Sequence, residues 1–262
     1  MVKTDPHFYG QRTSLCMNAI SDRVRSVTLT IALAIVGFGV GTLLVATGAG
    51  LLTAVGIPVF DRPAIQLVLS ATLLQGIAFG GVALLYSRLG NTSPPLPVAV
   101  PSRRDLAIIA AGSVATLALW VGLSMTASFL GLDSATNQVV TTAAENPAVL
   151  LLMIPLSYLL VGPGEELLFR GAIQGRLRSE FTPIVAIPIA SATFAVLHVS
   201  SLSGDGKLVY LGGVFLIALV LGVLYEYTEN LAVPALVHAT YNAVQFGVAY
   251  FSLSSAPAVL LG

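Results

Sequence analysis

Charge is scarce in this chain. Only 9% of its 262 residues are Asp, Glu, Lys or Arg, against 56% hydrophobic. A soluble domain carries about a quarter charged residues, so the deficit excludes an ordinary soluble globule and indicates an integral membrane protein. The 12 basic and 12 acidic residues cancel, and the chain has no basic tail, which argues against nucleic acid as a partner. Cysteine is nearly absent as well. Cys16 is the single one; it excludes an internal disulfide and reads as a free thiol on a polar segment.

Several protease signatures are missing too. The chain has no H-E-x-x-H, the helical zinc-protease motif. "LSGD" at 202–205 lacks the leading glycine of an aspartyl G-x-G-D, and Asp205 has no partner aspartate there. "SLSG" at 201–204 lacks the first glycine of a rhomboid-like serine motif, and Ser200 and Ser201 follow His198 too closely to form a nucleophile pair with it.

Long apolar runs are plentiful. A membrane helix needs about 20 apolar residues. Residues 26–60 supply one span plus a short tilted or interfacial piece, far longer than a signal-peptide core, so the run reads as uncleaved. Further spans are expected at 63–87, 106–132, 147–179, 182–198, 208–225 and 231–251. The proline-rich stretch 88–105 and the polar stretch 133–146 separate them. The expected fold is therefore all-α, a polytopic bundle of seven or eight spans. A cytoplasmic segment at 1–25 precedes a single transmembrane bundle at 26–262.

Orientation follows from lysine and arginine. With seven spans, Lys3, Arg12, Arg23, Arg25, Arg88, Arg103, Arg104, Arg176 and Arg178 share one side, while Arg62 and Lys207 lie on the other. The N-terminus is expected in the cytoplasm of a multi-pass cell-membrane protein.

Against this background a few polar residues stand out. Glu165, Glu166 and Arg170 lie in "VGPGEELLFRGA", His198 ends "FAVLH", and His238 and Asn242 lie in "HATYN". His7, in the N-terminal segment, reads as solvated. Each charge at mid-membrane costs roughly 2.5–3.5 kcal/mol on insertion scales. Glu166 and Arg170 are one helical turn apart and can pair, which lowers that cost. Glu165 points about 100° away and is expected to be unpaired. His238 and Asn242 share a face in the same way. At 1.5 Å per residue, all four candidates fall roughly 12–24 Å from the arginine-rich ends of their helices. Pro163 interrupts the helix just before Glu165, and its flanking glycines admit a neighbouring backbone or water.

A carboxylate kept from bulk water is a good proton acceptor, and His198 could help it polarise a water. His238 and Asn242 could donate to an oxyanion. Alternatively, Glu165, His198 and His238 could hold a divalent metal such as zinc. Both routes lead to peptide-bond hydrolysis within the membrane.

Three ordered motifs, Glu165-Glu166-x-x-x-Arg170, Phe194-x-x-x-His198 and His238-x-x-x-Asn242, together with the lead-in "YTENLAVPALVHATYN" at 227–242, resemble the type II CAAX prenyl protease and bacteriocin-processing family. The resemblance covers about residues 145–250. It implies a bundle of about eight helices around a conical cavity open to the cytosol. It also implies that Glu165 and His198 activate water, that His238 and Asn242 form the oxyanion site, and that Glu166 and Arg170 are supporting. Metal use in the family is disputed, although "metalloprotease" is a common label. Substrates would be peptides or membrane-associated proteins, lipidated or not; eukaryotic members process CAAX-box proteins. Glu229 stands where the family often has glycine. Two other readings remain: a non-catalytic scaffold or immunity-type binding protein, and a proton-coupled carrier. The carrier would place polar residues in two related halves, whereas here they all lie in the second.

Overall fold

In lipid a backbone must satisfy its own polar groups, and apolar runs of this length do so as helices. The computed structural model describes residues 6–89 and 96–255, with side chains from Ile20 onward. His7, the Cys16 thiol, part of the proline-rich linker and residues 256–262 therefore lie outside the described side chains. Eight helices follow in order: α1 (Pro6–Ala54), α2 (Pro63–Leu89), α3 (Arg103–Phe129), the short α4 (Gln138–Thr142), α5 (Ala148–Arg178), α6 (Pro183–Ser201), α7 (Lys207–Thr228) and α8 (Ala232–Ser255). A two-residue antiparallel pairing, β1 (Thr136–Asn137) with β2 (Leu202–Ser203), ties two connections together.

Local chemistry sets the boundaries. Pro63 and Pro183 open α2 and α6, where a missing N–H costs nothing. Ser102 and Asp105 close a reciprocal capping box on α3. Glu229 ends α7 with φ of 50°, a left-handed conformation that glycine adopts freely.

Six helices, counting α1 from Ile20, are long and apolar enough to cross a membrane. α8 has the length, 24 residues, but carries His238, Asn242 and Gln245, which dilute its apolarity. The expected all-α bundle is what forms, with seven long helices once α8 is counted. Its outer surface is apolar: Ile35 is 63% exposed, Val114 68%, Leu159 71% and Ile184 82%. Its centre is packed with Phe79, Leu168, Phe169, Ile173, Phe194 and Ala218.

The two ends of the bundle differ in chemistry. At one end Ser26 Oγ donates to the Arg176 carbonyl, Arg178 pairs with Glu226 at 2.7 Å, and Arg104 lies over the Tyr227 ring. There too Asn230 and Leu231 bond the backbone of residues 97–99. At the other end β1 pairs with β2, Asn137 donates to Tyr210, and Asp61, Arg62, Glu145 and Asn146 surround a shallow pocket.

Candidate active site

The site begins with a helix that cannot be regular. Pro163 has no N–H and crowds the carbonyl four residues back. α5 responds with a wide turn over Ser157–Val161 and a second over Leu167–Gln174, on either side of Gly162–Glu166. Such widened turns recur at functional sites. The glycines have a specific use. A Cβ on Gly164 would collide with the Gln75 carbonyl of α2, and one on Gly162 would sit 2.8 Å from the Ala235 carbonyl of α8. Two helices thus approach α5 at the backbone, immediately before the glutamates.

Glu165 and Glu166 are 4% and 1% exposed, Arg170 1% and His238 6%. They interlock. Glu166 Oε2 faces Arg170 Nε at 3.2 Å, and Glu166 Oε1 lies 2.9 Å from His238 Nδ1. The Arg170 Nη2 group donates to the Ala218 carbonyl of α7. Glu166 accepts from Arg170 and from His238, so Nδ1 of His238 carries a proton and Nε2 is turned toward Glu165. The gap from Nε2 to Glu165 Oε2 is 3.7 Å, too long for a direct hydrogen bond. The other Glu165 oxygen, Oε1, accepts from Gln75 Nε2 at 2.9 Å.

Glu165 is therefore not the unpaired carboxylate that the sequence implies. Gln75 partners it from 90 residues away. Motif reading missed Gln75; its one signal is an amide inside the apolar run "LLQGIAF".

Phe194 links the two histidines. Its ring centroid is 4.5 Å from that of His198 and 5.8 Å from that of His238, while Arg170 lies over it at 4.9 Å. His198 Nδ1 is 2.9 Å from the Phe194 carbonyl. A carbonyl only accepts, so His198 also carries its proton on Nδ1. Glu165, His198, His238 and Asn242 all line one cavity of about 1080 Å³, together with Gln75, Tyr210 and Tyr241. The structure thus interlocks Glu165, Glu166, Arg170 and His238, and sets His198 and Asn242 on the same cavity wall.

The metal alternative needs three converging ligands. Among the described residues no group of three His, Cys, Asp or Glu is arranged to hold an ion. Glu165, His198 and His238, as placed, are not such a group.

Residues 147–244 match the family model described as Type II CAAX prenyl endopeptidase Rce1-like. The resemblance carried by the three motifs is thus found independently. The matched stretch runs from the start of α5 into α8 and contains all six candidate residues. It supports a CAAX-protease-like endopeptidase of the membrane. No curated protein and no solved structure matches the chain.

Proposed function

We propose that this protein is an intramembrane endopeptidase in which Glu165 is the general base. The observation that carries the reading is the 3.7 Å gap between Glu165 Oε2 and His238 Nε2 on the wall of the large cavity. A water seated on the cavity side of this pair, within reach of both atoms, would turn its proton to the carboxylate.

In the reaction, the water oxygen attacks the scissile carbonyl carbon and its proton passes to Glu165 Oε2. Gln75 holds the opposite oxygen, so the reactive one keeps its aim. His198, whose Nδ1 proton is held by the Phe194 carbonyl, offers Nε2 as an acceptor that orients the same water. The developing oxyanion needs donors. Asn242 supplies one from its amide. His238 supplies a second only as an imidazolium, for which Glu166 is the counter-ion. Two carboxylates against one guanidinium leave room for that positive charge. Collapse of the tetrahedral intermediate breaks the C–N bond, and the proton held by Glu165 moves to the leaving amine. The products are a new carboxylate and a new amino terminus. Arg170 and Glu166 touch no reacting atom and act as positioning residues.

Substrates in this reading are membrane-associated polypeptides, with lipidation compatible with the apolar cavity wall. The test compares polypeptide termini in membranes of cells carrying wild type or Glu165→Gln at matched protein levels. Termini that vanish in the variant support the reading and name the substrates. Identical termini, with the deletion phenotype rescued by Glu165→Gln, would instead favour a binding or scaffold protein.

A further inference from the structure

The cavity has a definite direction. Its wall takes residues from the middle and one end of each long helix and none from the arginine-bearing end. α1 contributes Ala49 near its C-terminus, α2 Gln66 near its start, and α3 Ser128 near its end. The connections that line it are Val59–Phe60, before α2, residues 132–137, before α4, and Ser200–Ser201, at the end of α6. These lie at the end of the bundle where β1 pairs with β2. Among the described residues, the arginine-rich end of the bundle contributes nothing to the wall. Between the site and that end stand Leu168, Ile173, Gln174 and Leu177, each fully buried. The cavity therefore opens at one end and is floored at the other.

Charge labels the two ends. The floored end carries Arg23, Arg25, Arg88, Arg103, Arg104, Arg176 and Arg178. The open end carries Arg62 and Lys207 against four acids, Asp61, Asp133, Glu145 and Asp205. Basic residues in short loops stay on the cytoplasmic side during insertion. A cytoplasmic N-terminus and a cavity open to the cytosol are thus incompatible in this chain, because the mouth is at the opposite end from the arginines.

We infer that the mouth faces away from the cytoplasm, so that the site takes polypeptide segments presented from the extracytoplasmic side of the membrane. The substrate half of this inference rests on the peptidase reading above; the orientation does not. Its chemistry fits a segment tethered in or near the outer leaflet: the wall is largely apolar, Asp133 lines it, and the charged residues at that end of the bundle are predominantly acidic, which suits a segment with basic flanks.

The test uses the full chain with Cys16→Ser and single cysteines at exposed positions, Gln138→Cys and Asp205→Cys near the mouth, Val100→Cys and Ser179→Cys at the floored end. A membrane-impermeant maleimide is applied to intact and to permeabilised cells, and labelling in denaturant confirms each variant is made. The first pair is expected to label in intact cells and the second only after permeabilisation. The reverse pattern overturns the inference. Adding Glu165→Gln leaves the labelling unchanged, since orientation does not depend on catalysis. In the comparison of termini, Glu165-dependent cuts are expected in extracytoplasmic segments. Cuts confined to cytoplasmic segments would overturn the inference while leaving the peptidase reading intact. An absence of Glu165-dependent cuts would remove the peptidase reading and the substrate half with it, with the labelling still deciding the orientation.

Discussion

At the scale of single residues, the site is a chain of partners in which each side chain sets the next. Arg170 holds Glu166 in place, Glu166 accepts the Nδ1 proton of His238, and His238 presents Nε2 to Glu165. Buried ion pairs return little net stability, because desolvation offsets the attraction. Their use here is to fix geometry. Glu165, Glu166 and Arg170 were legible in the sequence because charge is rare in lipid and spacing of four residues pairs side chains on one face. Gln75 was not, because no local rule connects two residues on different helices. It carries a prediction of its own. Gln75→Leu removes a donor to a carboxylate, an interaction worth about 1.5–3 kcal/mol. Peptidase rate should fall at least about tenfold, and the thermal midpoint in detergent should fall as well, because a buried carboxylate loses its donor.

At the scale of elements, α5 is the part on which the site depends. Its glycines were legible as points of close approach, but which neighbour approaches was not. The structure supplies α2 at Gly164 and α8 at Gly162. Gly164→Ala drives a methyl group into the Gln75 carbonyl and should destabilise the protein by roughly 1–3 kcal/mol. It should also lower the rate, because the collision moves Gln75 away from Glu165. Thermal unfolding and kinetics on the same preparation check both. α7 offers the opposite case. Glu229 holds a left-handed φ of 50°, which costs a non-glycine residue roughly 1–2 kcal/mol. Glu229→Gly should therefore raise the unfolding midpoint while leaving the rate as it was. This conformation accounts for the glycine expected at that position.

At the scale of the whole molecule, composition alone established a membrane bundle, since a chain with 9% charge and 56% hydrophobic residues has no soluble fold to adopt. The span count was harder to read. α8 turns His238, Asn242 and Gln245 toward the cavity, so its average apolarity understates its place among the long helices. The existence of a cavity was also hidden from hydropathy, because both its wall and the lipid face are apolar. The outer face makes a simple prediction. Val114, midway along α3, is 68% exposed and faces lipid in this arrangement. Val114→Asp should impair insertion by about 2.5–3.5 kcal/mol, seen as loss of protein from the membrane fraction. Val114→Leu should be neutral.

The measurement that bears most directly on the central claim is hydrolysis itself. Purified wild type and Glu165→Gln, each in lipid vesicles, would be given a substrate found by the comparison of termini, in water labelled with heavy oxygen. The account predicts new carboxyl termini carrying the label with wild type, and a rate lower by about 10²–10⁴-fold with Glu165→Gln, at unchanged thermal stability. Cleavage by Glu165→Gln at the wild-type rate would contradict it.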